Sequence, residues 1–197
     1  MITERISAMN KIILEQGSPA DYSGRLPKEQ NCYRLLDRLG LTYWRADHPD
    51  ANADTMEACR EIDAVLDALV CKNLFLTNRQ HTAYYLLMMP GDKVFKTKEL
   101  SSQLGVARLS FGTAEEMEEL LGVTPGSATV LGLMNDTEQR VRLLVDEDVL
   151  KHEFTGCHPC INTTSLKLYT ADIFGPLLRE MNHTMTVVKL VGAESES

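Results

Sequence analysis

The chain has 197 residues, of which 44% are hydrophobic and 24% are charged, as is typical of a soluble globular protein with one domain. Its formal net charge of −8 argues against a protein that coats nucleic acid, although a local basic pocket could still hold a single RNA end. The N-terminal residues lack the basic head and apolar centre of a signal peptide, and no apolar run reaches the roughly 18 residues of a membrane-spanning helix. We therefore expect a cytoplasmic protein.

The first 24 residues are predicted to be a separate N-terminal extension (residues 1–24), and residues 25–197 are predicted to form the domain. From Ile2 to Gln16 apolar residues recur at helical spacing, and Gly17-Ser18-Pro19 breaks the pattern. This spacing predicts a helical extension, either packed on the domain or free as an arm.

Capping and turn signals divide the domain into helices and strands. Pro27 and Gly40 delimit the first helix, and a capping box at Thr113–Glu116 starts a later one. Further helices are predicted over residues 55–69, 96–104 and 170–181, the last capped by Thr170, and strands over residues 41–46, 72–77, 82–89, 108–111, 128–134, 140–145, 161–168 and 184–190.

Two pairs of these strands are predicted to form hairpins. One joins residues 72–77 to 82–89, and the other joins residues 128–134 to 140–145 around Asn135-Asp136. Hairpins interleaved with helices indicate the α+β class, with a mixed or antiparallel sheet.

Two segments carry residues suited to chemistry. Lys72, which opens an apolar strand together with Asn73, could offer a fixed cation to a phosphate, or it could be a solvated strand end. Gly156 to Pro159 is predicted to be a rigid loop whose backbone N–H groups face a ligand. Within it, His158 could orient a water, and the alternative is a rigid turn with an exposed histidine.

Cys157 and Cys160 have the spacing of a redox dithiol, but they run into a predicted strand rather than a helix N-terminus, which disfavours thiol chemistry. No second close pair of cysteines completes a zinc site. The five cysteines, at positions 32, 59, 71, 157 and 160, are an odd and sparse set, which predicts free thiols. No phosphate-binding loop, nucleophile elbow or Ser–His nucleophile pair is evident.

Several segments together resemble the YbaK-like aminoacyl-tRNA deacylases, relatives of the editing insertion of prolyl-tRNA synthetase, and in particular their stand-alone prolyl-tRNA deacylase branch. The matching segments are residues 71–76 (CKNLFL), 89–93 (MPGDK), 107–111 (ARLSF), 124–127 (TPGS), 131–136 (LGLMND) and 156–163 (GCHPCINT). They occur in the family's order and extend over about residues 26–190. The resemblance implies a curved mixed sheet or pseudo-barrel flanked by helices.

The resemblance also implies functional positions. Lys72, Gly156 and His158 would be catalytic, the lysine by gripping the terminal nucleotide of the tRNA and the loop by facing the aminoacyl ester. Substrate-binding positions would be Asn73, Ser127, Asn135, Cys157, Pro159 and Asn162, with Ser127 and Asn135 on a facing hairpin.

The implied function is hydrolysis of a mischarged tRNA, most simply Ala-tRNA(Pro), by water, aided by the tRNA 2′-hydroxyl. Alternatives are a Cys-tRNA(Pro) deacylase, a non-catalytic module that senses an amino acid or tRNA, and a thiol oxidoreductase. No metal or cofactor is expected. The expected partners are the acceptor end of aminoacyl-tRNA and, transiently, prolyl-tRNA synthetase, with no membrane and no DNA.

Overall fold

The computed structural model describes residues 12–48 and 56–192, with side chains omitted for residues 56–60. Nine strands of these ranges form one sheet: β1 (Leu14–Gln16), β2 (Tyr43–Asp47), β3 (Leu69–Thr77), β4 (Tyr84–Pro90), β5 (Ser110–Phe111), β6 (Val141–Asp146), β7 (Phe154–Cys157), β8 (Thr164–Tyr169) and β9 (Met185–Val188). Their order is β1-β2-β8-β7-β3-β4-β6-β9, and β5 pairs with β3.

Helices fill the intervals between these strands. They are α1 (Pro27–Arg38), α2 (Met56–Leu66), α3 (Thr97–Leu104) and α4 (Ala114–Leu121), two 3-10 helices at Val130–Asn135 and Val149–Lys151, and a C-terminal helical segment made of Thr170–Asp172, a π turn at Ile173–Leu177 and Leu178–Glu180. Pro27 lies in the first turn of α1 and Gly40 has φ 63°, as predicted. The predicted capping box at Thr113 and Glu116 is also confirmed.

The sheet is mixed, which confirms the α+β class. β3 and β4 form the predicted antiparallel hairpin, while β4 with β6, β6 with β9, and β3 with β7 run parallel. Since β1 and β9 stand at the two ends of the strand order, the sheet is open rather than a closed barrel.

The second predicted hairpin is wrong. Val130–Asn135 is a 3-10 helix, and β6 lies parallel to β4 instead of pairing with it as a hairpin strand. Residues 130–133 of this run are apolar and buried, and such a short run does not distinguish a strand from a short helix. Thr129 caps this helix, because its hydroxyl accepts a hydrogen bond from the Leu131 N–H, 3.3 Å away.

The N-terminal extension also differs from the prediction where it can be described. Leu14–Gln16 is a strand that pairs with β2, rather than the end of a helix, and residues 1–11 lie outside the described ranges. Strand pairing with β2 outweighs the local helical spacing at this end. Whether the domain begins at residue 25 stays a prediction.

Thr170 is not the cap of the last helical segment. The segment begins at Thr170 itself, whose buried hydroxyl lies 2.8 Å from the Thr155 hydroxyl on β7. The side chain therefore ties the segment to the sheet.

Strand β4 is the centre of the core, since all its residues are buried. Its alternate side chains enter two different clusters, with Leu86 and Met88 on one face and Leu87 and Met89 on the other. Helices therefore cover both faces of the sheet here. None of the helices in the described ranges has the length and apolar character needed to cross a membrane.

Candidate active site

A cleft with a volume of about 1080 Å³ opens beside strand β3. Along this edge β3 changes partner, since Leu69 and Val70 pair with β7 whereas Leu76 and Thr77 pair with β5. The cleft occupies the place where the two partners diverge. Its walls come from α2, β3, the turn after β4, the turn at Gly126, and the chain from His152 to His158.

Lys72 lies on the wall of this cleft, with its ammonium held by the turn that follows β4. Its Nζ donates to the carbonyl oxygen of Gly91, 3.3 Å away, and to that of Lys93. The Gly91 N–H in turn donates to the Val70 carbonyl oxygen, 3.0 Å away, which ties the turn to β3. An ammonium has three N–H donors, so a lysine held in this way can offer the third to an anionic or carbonyl oxygen of a ligand.

Asn73, the neighbour of Lys72, does not line the cleft, because successive side chains of a strand point to opposite faces. Its Oδ1 is buried and has no hydrogen-bond partner among the described residues. A buried acceptor without a partner is costly, so this amide is a polar group that the fold leaves unsatisfied.

Gly156 and Cys157 line the cleft, but they belong to β7 and not to a loop as predicted. Gly156 lies in register with Val70 of β3 and Lys167 of β8, so the neighbouring strands take up its backbone groups. A Cβ at this position would lie 3.4 Å from Val70 Cγ2 and 3.5 Å from Leu66 Cδ1. Gly156 therefore lies in van der Waals range of an apolar wall formed by Leu66 and Val70.

His158 follows β7 and faces the cleft in a partly buried position. Its Nδ1 lies 3.0 Å from the carbonyl oxygen of Thr164, which can only accept, so Nδ1 carries the proton and Nε2 is an acceptor. Burial lowers the pKa of His158 below its ordinary value of 6.5, although the Thr164 carbonyl opposes this shift. At neutral pH the ring is thus a neutral acceptor.

Behind His158, Thr164 is itself fixed by a partly buried charge network. Its hydroxyl donates to Asp47 Oδ1, 2.8 Å away, and Asp47 also accepts from Arg25 and Arg45. Burial alone would raise the pKa of Asp47, but the hydrogen bonds from Arg25, Thr164 and Arg45 lower it to about 2. The orientation of the imidazole is therefore supported by a carboxylate that stays ionised.

We expect the buried imidazole of His158 to make folding stability depend on pH. Because its pKa is lowered in the folded state, the unfolded chain binds more protons, and stability declines as pH falls from about 6.5 towards the folded-state pKa. Urea unfolding at pH 7.5 and 5.5 should show a smaller loss of stability between the two pH values in His158→Asn than in the wild type. An equal loss in both proteins would contradict a depressed pKa.

Pro159 and Asn162 continue the chain beyond His158 without lining the cleft. Pro159 is buried, and Cys160 after it has φ 61°, a left-handed conformation that is uncommon outside glycine. The amide nitrogen of Asn162 would lie 3.8 Å from a Cβ at Gly126. Asn162 therefore adjoins the turn that contributes Gly126 to the cleft wall.

Ser127 and Asn135 make local contacts instead of facing the cleft. Ser127 Oγ donates to the Thr124 carbonyl oxygen, 2.9 Å away, and accepts from the Thr124 N–H, 3.0 Å away. Asn135 Nδ2 donates to the Leu121 carbonyl oxygen, 2.8 Å away, near the end of α4. Ser127 thus shapes the turn that holds Gly126, while Asn135 joins a 3-10 helix to α4.

The two cysteines of the C-x-x-C spacing have different surroundings. Cys160 contacts Cys32 of α1, with 3.6 Å between the two sulfur atoms. Burial raises the pKa of the Cys157 thiol, whereas reactive thiols have a lowered pKa. Within residues 12–48 and 56–192, no cluster of three or more histidine, cysteine or acidic side chains could hold a metal ion.

Two polar residues near His158, Ser165 and His48, are not among the site residues predicted from the sequence. Ser165 lines the cleft, and its Oγ lies 3.0 Å from Nε2 of the buried His48. The backbone N–H of His48 donates to the Thr163 carbonyl oxygen, 2.9 Å away. This Ser–His contact joins strands far apart in sequence, so no local motif reveals it. Similarly, only the fold shows that Leu66 of α2 faces Gly156.

The fold and cleft define an α+β domain in which one cleft is lined by a fixed lysine, a neutral histidine and an apolar wall. Residues 50–174 match the model of the aminoacyl-tRNA editing domain family. The prolyl-tRNA editing protein ProX of Acetoanaerobium sticklandii is 26% identical over 138 residues, covering 70% of this chain and 83% of that protein. The prolyl-tRNA synthetase associated domain-containing protein 1 of Danio rerio is 28% identical over 184 residues, covering 92% and 97%.

Among solved structures, a candidate trans-editing enzyme for prolyl-tRNA synthetase superposes with a TM-score of 0.63 at 16% identity, covering 84% of this chain and 98% of that chain. At this identity the likeness shows the fold alone. The chain belongs to the aminoacyl-tRNA editing domain family. This confirms the resemblance found in the sequence and identifies the chain as an editing deacylase domain.

Proposed function

We propose that this protein deacylates mischarged tRNA(Pro) in trans, with alanine as the amino acid removed. One observation carries the proposal: a lysine ammonium, fixed by two backbone carbonyls, lies on the same cleft as a neutral histidine acceptor and an apolar wall. The names of the relatives, which refer to prolyl-tRNA editing and to prolyl-tRNA synthetase, support tRNA(Pro) as the carrier.

The ester joins the amino acid to the terminal ribose of the tRNA. In the proposed reaction a water attacks the carbonyl carbon, the bond from that carbon to the ribose oxygen breaks, and the ribose oxygen takes up a proton. Lys72 offers its third N–H to a phosphate or to the developing oxyanion, where a placed donor is most effective. His158 Nε2 accepts a hydrogen bond from the attacking water or from the substrate amino group.

The roles predicted for the other residues need revision on these grounds. Gly156 serves by having no side chain, because its backbone is taken up by the sheet and a larger residue would meet Leu66 and Val70. Pro159 has no N–H to donate to a substrate. Asn73 points away from the cleft with a buried Oδ1, so the proposal gives it no contact with the substrate.

Alanine is proposed because an apolar wall close to the ester discriminates between side chains by size. A pocket excludes larger side chains well but rejects smaller ones poorly, so a wall that admits alanine can exclude proline. The wall of Leu66 and Val70 beside Gly156 is suited to a small apolar side chain. Cysteine is close in size to alanine and is the main competitor.

The proposed partner is the acceptor end of an aminoacyl-tRNA, with transient association with prolyl-tRNA synthetase. The net charge of −8 suits weak binding to the RNA, because a broad basic face would bind every RNA with strong salt dependence. The proposal includes neither a membrane nor DNA as a partner.

The deciding experiment measures release of labelled amino acid from Ala-tRNA(Pro), Cys-tRNA(Pro) and Pro-tRNA(Pro) by the purified full chain. We expect release of alanine at least tenfold faster than release of proline. Faster release of cysteine than of alanine would show that cysteine is the amino acid removed. Binding of Ala-tRNA(Pro) without hydrolysis would show a sensing module and contradict the enzyme.

The contact between Ser165 and His48 raises a second mechanism, in which the serine is acylated. We expect Ser165→Ala to retain deacylation within about tenfold of the wild type, because the proposed nucleophile is water. Removing a true serine nucleophile lowers kcat by about 10⁴-fold or more. A burst of tRNA release in the wild type and a loss of that size in the variant would establish an acyl-enzyme instead.

A further inference from the structure

The turn that holds Lys72, residues 90–93, is itself anchored to the rest of the domain by the side chain of Lys93. Lys93 Nζ lies 3.0 and 2.9 Å from the two carboxylate oxygens of Asp146, 2.6 Å from Asp148 Oδ2 and 2.7 Å from the Leu190 carbonyl oxygen. Asp146 is fully buried, and Lys93 is 13% exposed. The turn is therefore fixed to β6 and to the chain after β9.

The charge of Lys93 is balanced within this cluster, whereas Lys72 lies on the cleft wall. Asp146 and Asp148 lie against Lys93 and neutralise it, and the exposed Lys151 contacts the other carboxylate oxygen of Asp148, 2.5 Å away. Burial alone would lower the pKa of Lys93, but the two carboxylates outweigh it and raise the pKa, so the lysine remains charged. The ammonium of Lys93 is thus paired with the carboxylates of the cluster. The carbonyl oxygens of Gly91 and Lys93, in contrast, accept from Lys72.

One residue therefore links the two sites. The carbonyl oxygen of Lys93 accepts from Lys72 Nζ, while its side chain is held at three other groups. Well-packed apolar residues are often as stable as a buried ion pair, so stability alone gives little reason to place a charged lysine here. A side chain with several directed contacts fixes its own backbone more closely than an apolar side chain could.

We infer that Lys93 is a positioning residue for the reaction: by anchoring the turn of residues 90–93 to Asp146 and Asp148, it fixes the two carbonyls that orient the Lys72 ammonium. This inference rests on the proposed function only for its kinetic readout. The geometric part concerns the position of Lys72 and can be tested in the protein without substrate.

The kinetic test is a double-mutant cycle of Lys93→Met and Lys72→Ala on deacylation of Ala-tRNA(Pro). We expect Lys93→Met to lower kcat/KM at least tenfold and the double variant to be no worse than Lys72→Ala alone, because both changes remove the same oriented ammonium. Lys189→Met, which removes an exposed lysine near Glu147, is the matched control and should leave activity unchanged. Additive losses in the double variant would show that Lys93 is merely structural and would overturn the inference.

Thermal unfolding of each variant separates folding from positioning. If Lys93→Met does not fold, Asp148→Asn weakens the same anchor at a half-exposed carboxylate and should still lower kcat/KM severalfold. A crystal structure of the folded variant supplies the readout that needs no substrate. Lys72 Nζ should lose its contact with the Lys93 carbonyl, and an unchanged contact would refute the inference. If the wild-type protein hydrolyses no aminoacyl-tRNA, the proposed function is wrong. The position of Lys72 Nζ in the crystal structure of the variant still decides whether Lys93 positions it.

Discussion

Lys72→Ala is expected to lower kcat/KM for Ala-tRNA(Pro) by about 10²–10³-fold, the loss typical of removing one oriented donor from an active site. The substitution removes the ammonium that two backbone carbonyls hold at the cleft. Lys72→Arg should not restore activity, because a planar guanidinium cannot take the place of a compact ammonium between those carbonyls. Single-turnover deacylation with excess enzyme measures the effect on the chemical step.

Folding should be little affected by this change, since Lys72 is only partly buried. Lys189→Ala serves as the control, because its side chain is 74% exposed and its contact with Glu147 is a surface pair. Equal rates for Lys72→Ala and the wild type would remove the lysine from the mechanism. A loss of activity in both lysine variants would point instead to general electrostatic attraction of the RNA.

Asp146→Ala is expected to reduce the free energy of unfolding by about 3–5 kcal/mol, because it removes the buried carboxylate that makes two of the four contacts of the Lys93 ammonium. Asp146 is fully buried, and it also accepts a hydrogen bond from the Asp148 N–H, 3.0 Å away. The measurement is urea unfolding at pH 7. Lys93→Met combined with Asp146→Ala should recover part of the loss, since no uncompensated charge then remains.

An exposed ion pair provides the comparison for this prediction. Glu119→Ala breaks the contact with Arg140, and both side chains are largely solvated, so we expect a loss below about 1 kcal/mol. If Asp146→Ala cost no more than Glu119→Ala, the buried cluster would not hold the turn as the structure indicates.

The sequence by itself determined the features that depend on neighbouring residues. Pro27 and Gly40 delimit α1, and Thr113 with Glu116 starts α4, because capping satisfies backbone groups within one turn of helix. The β3–β4 hairpin was predicted from two apolar runs joined by a short turn. The α+β class was predicted from the way hairpins and helices alternate along the chain. The family could also be recognised, because its short motifs keep their order along the chain.

The tertiary structure alone decided which strands lie parallel, and with them the composition of the cleft. The pairing of β4 with β6, and the 3-10 helix at Val130–Asn135, depend on burial that local periodicity does not encode. The contacts of Lys93 with Asp146 and of Ser165 with His48 join residues 53 and 117 positions apart. Such contacts depend on strand register and on the connections between strands, so no spacing of residues in the sequence predicts them.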